Sequence, residues 1–211
     1  MIHFKVSLFN PPIRPYTGFG GRRVEATKEP LREISLDALV FLIQKDESVK
    51  RAHDWVLEHA DTPEKYAQYK QTQLYYITPW GVATGRTDKE LVSPSGFFPI
   101  DIDHLESREE AEAVRDRIFE DPRILPAVAF VSPSQKGVKA FVPYFHCRDM
   151  PASRDELLRI GKESQALCNG FLTAVFFPDR PQVVDTSGSN PGRTCFLAHD
   201  PGVRYRSTEI K

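Results

Sequence analysis

The stretch Phe97-Phe98-Pro99-Ile100-Asp101-Ile102-Asp103-His104-Leu105 constrains this chain more than any other. It has the apolar character of a β-strand, yet it carries two acids one residue apart. Residues i and i+2 of a strand point to the same face. Asp101 and Asp103 therefore project side by side, while Ile100 and Ile102 turn into a core. Carboxylates held about 7 Å apart along a rigid strand repel one another unless something positive lies between them. Mg²⁺ or Mn²⁺ suits that place, because hard cations take oxygen ligands. An acid at a strand end also serves to cap a helix, and a helix start follows closely enough for Asp103 to take that role instead.

A chain of 211 residues can bury one substantial core. No apolar run approaches the roughly 20 residues that span a bilayer, so no membrane partner is expected. The start, Met1-Ile2-His3-Phe4-Lys5-Val6, lacks the basic-then-apolar layout of a secretory signal, and a cytoplasmic location is expected. Cys147, Cys168 and Cys195 are far apart and form no C-x-x-C pair, which argues against a zinc knuckle and for reduced, mostly buried thiols. Net charge is −1. Proteins that grip nucleic acid by broad phosphate contact carry a basic face, so any nucleotide contact here has to be concentrated at a site.

Ile2 to Phe9 alternates as a half-buried strand does. Residues 10–30, rich in Pro, Gly and Arg, read as a loop or as a basic arm that touches phosphates. Ser35 is the expected N-cap of a helix over Leu36–Gln44, a second helix is expected over Val49–His59, and Thr62-Pro63 opens a third. Leu74–Ile77 is strand-like, and Trp80–Arg86 is expected to turn and continue it as a hairpin. Ser107-Arg108-Glu109-Glu110 and Ser153-Arg154-Asp155-Glu156 have the S-x-x-E pattern of a capping box. The first helix closes at Asp121-Pro122, and the second is expected to stop at Asn169-Gly170. Ala127–Ser132, Val138–Phe145, Val183–Asp185 and Thr194–Leu197 read as strands. The fold class is α+β, and the order β-α-β-β-α-β over residues 97–197 is that of a split βαβ, ferredoxin-like sheet, a fold shared by unrelated functions.

Two further motifs carry chemistry. Val131-Ser132-Pro133-Ser134-Gln135-Lys136-Gly137-Val138-Lys139 lies between two expected strands. Hydroxyls, backbone N–H groups and lysines in such a turn cradle phosphate, although the turn lacks the Walker spacing and would also serve as a plain hairpin with solvated lysines. Asp185 ends an apolar run, and Arg193 follows it. An acid and an arginine there supply either a third metal ligand and a phosphate clamp, or a surface ion pair of little energetic weight. His104 follows the acid pair but points away from it on an ideal strand. His199 reads as ordering the Asp200-Pro201 turn, and His3, His53, His59 and His146 form no ligand pattern. Trp55, Trp80 and most Phe residues are expected in the core. Tyr75 and Tyr76 alternate, so one of them faces away and is free to stack on a base.

The order of an Asp-x-Asp strand, a Ser-bearing turn and an apolar-Asp segment resembles the archaeo-eukaryotic primase, or primase-polymerase, superfamily. More closely, the chain resembles the VirE-type N-terminal domain of bacterial mobile-element proteins. The resemblance rests on Lys70, Tyr75-Tyr76-Ile77-Thr78-Pro79-Trp80-Gly81, Ser95 to Asp103, Ser132 to Lys139, and Arg193-Thr194-Cys195-Phe196 leading to His199-Asp200-Pro201. It implies a primase-like fold, with an RRM-like catalytic sheet in residues 91–211 and an α/β unit packed beside it in residues 1–90, as a single domain over 1–211. It also implies that a helicase-like or other replication module follows, so that this chain is a piece of a longer protein.

On that resemblance the chain is expected to be a DNA primase or polymerase-like nucleotidyltransferase. Asp101, Asp103 and Asp185 would hold two Mg²⁺ or Mn²⁺ ions. Ser132, Ser134, Lys136 and Lys139 would bind the phosphates of a nucleoside triphosphate, and Arg193 would assist there or touch a single-stranded DNA template. The superfamily carries a histidine in the second motif where this sequence has Lys139. That departure leaves open a catalytically silent binding module of a larger replication or mobilisation protein, and a metal nuclease would use the same acids.

Overall fold

Side-chain caps written into the sequence decide where the helices begin. In a computed structural model, which describes residues 4–144 and 153–206, strands β1 (Lys5–Phe9), β2 (Tyr16–Thr17), β3 (Arg23–Val24) and β4 (Arg32–Ser35) lead into helices α1 (Leu36–Gln44), α2 (Glu47–His59) and α3 (Pro63–Gln73). Ser35 Oγ accepts from the Ala38 amide, Asp46 Oδ1 accepts from Ser48 and Val49, and Thr62 Oγ1 accepts from Lys65. Each bond satisfies a donor that the first helical turn leaves free. Strands β5 (Tyr76–Thr78), β6 (Gly81–Ala83), β7 (Leu91–Pro94) and β8 (Phe97–Ile102) follow, then α4 (Arg108–Glu120), β9 (Val128–Val131), β10 (Val138–Pro143), α5 (Arg154–Phe171), β11 (Cys195–Phe196) and β12 (Arg204–Tyr205). Ser107 and Ser153 cap α4 and α5. The reciprocal arm of the first box lands one residue early, where Glu110 Oε2 accepts from the Glu106 amide at 2.6 Å.

Two four-stranded antiparallel sheets form, ordered β11-β5-β1-β4 and β12-β9-β10-β8. Several expectations change. Gly170 does not stop α5: the helix continues to Phe171 and widens into a π-helical turn over Leu172–Phe176. Burying Leu172 and Phe176 there outweighs the ~1 kcal/mol that an interior glycine costs. The β6 strand pairs with β7 rather than extending β5. The β-α-β-β-α succession holds through α5 and then breaks. Val183–Asp185 is not a strand but a 3₁₀ turn opened by Pro181 and followed by one bridge, Val184 to Ile102. The expected last strand, β11, joins the other sheet beside β5. His3, His146 and Cys147 lie outside the described residues.

Period-2 alternation gives the second sheet two apolar faces. Phe98, Ile100, Ile102, Val131, Val138, Ala140 and Val142 pack under α4 and α5. Phe97, Val128, Phe130 and Phe141 face Phe4, Val6, Leu8 and α1, with Phe4 edge-on to Phe97 at 5.2 Å between ring centroids. A sheet covered on both faces excludes water from its middle. On this second face the apolar pattern is interrupted by Asp101 and Lys139, which stand opposite each other in register. Trp80 is fully buried, as expected, whereas Trp55 is 37% exposed and stacks on His59 at 4.4 Å. Tyr76 is buried, and Tyr75 is half-buried against the second core. Among the described residues, no helix is long and apolar enough to cross a membrane.

Candidate metal centre and its cleft

Asp101 and Asp103 leave β8 on the same face, and the main chain delivers a third acid to them. The Asp103 amide donates to Val183 O at 2.8 Å, and the Asp185 amide donates to Asp101 O at 2.9 Å. Those two bonds lock residues 183–185 along the edge of β8. Oxygens of Asp101, Asp103 and Asp185 then lie within 4.8 Å of one another. Asp103 does not cap α4, which Ser107 does. His104 takes φ +61° and is exposed at the rim of the adjoining cleft.

The three acids are compensated unequally. Lys139 Nζ lies 2.5 Å from Asp101 Oδ2, yet Asp101 Oδ1 is buried with no hydrogen-bond partner. Burial disfavours the Lys139 ammonium, but Asp101, with Asp103 behind it, outweighs burial and raises its pKa. Asp185 Oδ1 accepts from the Ser187 amide and hydroxyl at 2.7 and 2.5 Å, and Arg193 Nη2 donates to Oδ2 at 3.1 Å. Burial alone would raise Asp185, and the Ser187 donors together with Arg193 reverse that and hold it low. Asp103 has less help: burial and then the Asp101 charge push its carboxyl up against the weaker pull of Lys139 and Lys70. An orphaned carboxylate oxygen, a neighbouring acid pushed toward protonation, and three hard oxygen donors fit Mg²⁺ or Mn²⁺. They do not suggest zinc, since the nearby Cys195 thiol is pushed by burial to about 12.

The Ser/Gly/Lys turn joins β9 to β10 and closes on itself through Ser132 N to Gly137 O and Gln135 N to Ser132 O. Ser132 Oγ and Ser134 Oγ are 3.0 Å apart. Gly137 is needed for close approach: a Cβ there would stand 2.3 Å from Ile102 O and 2.9 Å from Asp103 Oδ1. The turn is thus pressed against the acids. Its far side rests on His53, which sequence reasoning passed over. His53 Nε2 donates to Pro133 O at 2.8 Å, and its Nδ1 accepts from the His199 amide at 3.1 Å. That pattern requires the neutral ring, and burial lowers the His53 pKa accordingly. No local signal marks this histidine, because its partners lie 80 and 146 residues away. Asp200 is structural, being bound to Arg115 and to the Val131 and Gly202 amides.

A cleft of about 850 Å³ opens in front of the acids. Asp101, Asp103, Ser132, Ser134, Lys136, Lys139 and Arg193 all line it. Asp185 lies behind, on a small adjoining cavity of about 30 Å³ that also touches Asp101, Lys139 and Arg193. The opposite wall is α3, which contributes Tyr66, Lys70 and Gln71. Arg14 reaches the rim from the N-terminal loop, which is tied to α3 by the Ile13 amide donating to Gln71 O. Apart from Asp101 and Asp103, every charged residue lining the cleft is a cation, so a protein of net charge −1 has a locally positive groove.

Comparison with known proteins identifies one family model, described as the BT4734-like N-terminal domain, which matches residues 69–205 and is related to VirE N-terminal domains. No curated protein matches the sequence. Among solved structures, the polymerase domain from Mycobacterium tuberculosis ligase D, in complex with DNA, aligns over 93% of this chain and 68% of its own at 15% identity. Its TM-score is 0.36, an overlap too loose to transfer any feature from one to the other.

Proposed function

This chain belongs to the family of BT4734-like N-terminal domains, and we propose that it is a nucleotidyltransferase of the primase-polymerase type. In this reading residues 1–211 form one primase-like domain, an N-terminal α/β unit over 1–90 beside an RRM-like catalytic half over 91–211. The observation that carries it is the meeting of three carboxylates at a cleft whose other charged residues are cations.

Asp101, Asp103 and Asp185 would hold Mg²⁺ or Mn²⁺, which when bound supplies charge neutralisation for a triphosphate and a lowered pKa for an attacking hydroxyl. Ser132 and Ser134 donate hydrogen bonds to phosphate oxygens, and Lys136 adds charge from the same turn. Lys139 and Arg193 steady Asp101 and Asp185 and offer their remaining N–H donors to the triphosphate or to a single-stranded DNA template. A helicase-like module in a longer protein is the proposed partner. The test is template-directed synthesis with Mn²⁺ and deoxynucleoside triphosphates. Wild type should make product and the Asp101→Ala/Asp103→Ala double variant should not; equal product from both would put the chemistry elsewhere.

Lys139 favours a second reading, a catalytically silent nucleotide-binding or nucleic-acid-binding module. Its ammonium already occupies Asp101 Oδ2, the atom a divalent ion would compete for. Calorimetric titration of a nucleoside triphosphate with Mn²⁺, run beside the synthesis assay, separates the two: binding heat without product favours the silent module.

A further inference from the structure

We infer that Lys70 on α3 is the residue that takes up the triphosphate tail of the nucleotide, across the cleft from the three acids. The inference rests on the functional reading above and gives Lys70 a role that the sequence motifs assigned only to Ser132, Ser134, Lys136, Lys139 and Arg193.

Lys139 and Arg193 each spend their charge on a carboxylate. Lys70 does not. The residue is half-buried and, among the described residues, its ammonium has no acid within ion-pair distance. It sits between two aromatic rings instead, 5.6 Å from the Tyr66 centroid and 5.7 Å from that of Phe196. One ring belongs to α3 and the other to β11, so two separate elements hold the ammonium and both line the cleft. Aromatic faces attract a cation without neutralising it, and a partly desolvated, unpaired charge is costly until an anion arrives. Lys70 also feels Asp103 and Asp101, which puts it close to where a metal-bound triphosphate would have to sit. Burial first, and then the Lys139 charge, pull its pKa down against the opposing pull of Asp103 and Asp101. A backbone phosphate of a bound strand has the same chemistry. The free triphosphate is favoured because Lys70 is half-buried in the cleft that Asp101 and Asp103 line, whereas Arg14 is exposed.

The experiment is calorimetry on the full chain with Mn²⁺ alone, with inorganic triphosphate plus Mn²⁺, with a deoxynucleoside triphosphate plus Mn²⁺, and with a single-stranded oligonucleotide. It compares wild type, Lys70→Met and Lys70→Arg. Lys70→Met should weaken both triphosphates about ten- to a hundredfold, the range for one charge-assisted hydrogen bond. It should leave Mn²⁺ binding equal or tighter, because a cation that acts electrostatically on Asp101 and Asp103 has been removed from the cleft. Lys70→Arg should retain most of the triphosphate affinity, and both variants should melt as wild type does. If wild type binds triphosphate and Lys70→Met binds it equally well, the inference falls and the proposed function stands. Parallel loss of Mn²⁺ and triphosphate with a lowered melting temperature makes Lys70 structural and overturns it. Loss confined to the oligonucleotide assigns the contact to a strand and overturns it as well. Should wild type bind Mn²⁺ but no triphosphate, the nucleotidyltransferase reading and the inference fall together.

Discussion

Replacing Lys139 by methionine keeps the unbranched apolar stem and removes the terminal ammonium with its charge. The ammonium is 2.5 Å from Asp101 Oδ2, with the two side chains 14% and 19% exposed. Taking it away leaves Asp101 with neither oxygen paired, beside Asp103 and Asp185. Breaking a fully buried pair costs about 3–5 kcal/mol; the residual exposure here lowers that to about 2–4 kcal/mol. For a chain of this size, each kcal/mol moves the melting temperature by about 2–4 °C, so Lys139→Met should melt on the order of 4–16 °C lower without divalent ions. The same change removes the cation that competes with a metal for Asp101. Mn²⁺ should therefore bind the variant at least about tenfold more tightly, about 1.4 kcal/mol, and restore much of the lost stability by mass action. Melting curves and calorimetry with and without Mn²⁺ read both effects. A variant as stable as wild type, or one that loses stability without gaining Mn²⁺ affinity, would refute the idea that Lys139 neutralises a metal-competent acid cluster.

Three other outcomes follow from the same geometry. Asp200→Ala should cost about 2–4 kcal/mol in urea denaturation, because Arg115, 6% exposed, is left, among the described residues, with Asp116 as its one carboxylate and the Val131 amide loses its acceptor; a loss under about 1 kcal/mol would contradict this. Since burial holds the folded pKa of His53 below the ordinary histidine value of 6.5, the unfolded chain takes up the proton first, and stability is full above pH 6.5 and falls as pH drops toward the folded pKa. The urea midpoint should decline over that window and do so less steeply in His53→Gln. Gly137→Ala should destabilise by about 1–3 kcal/mol and weaken Mn²⁺ binding, because its Cβ would strike Ile102 O and crowd Asp103 Oδ1; unchanged Mn²⁺ affinity would mean that the turn does not support the acids.

Whatever depends on neighbours within one element was readable from the residues alone. Strand parity aligned Asp101 with Asp103, hydroxyl and acid caps marked the helix starts at Ser35, Ser107 and Ser153, and the Ser132–Lys139 segment declared itself a turn. These patterns are periodicities and local hydrogen bonds, so a few residues suffice to read them. Only the tertiary structure decided what spans the chain. Asp185 reaches its partners through two main-chain bonds to the edge of β8, on a segment that leaves a 3₁₀ turn opened by Pro181 and makes one bridge there. The Thr194–Leu197 stretch has strand character in isolation, yet it joins the other sheet because that is where Cys195 and Leu197 find an apolar core to enter. His53 comes to the site from a helix whose own sequence gives no hint of it, and Lys70, though among the residues that carry the resemblance, gets its two aromatic neighbours and its place in the cleft only from the fold. Which apolar faces bury against each other is a property of the whole chain, and the polar side chains at their margins are carried along with them.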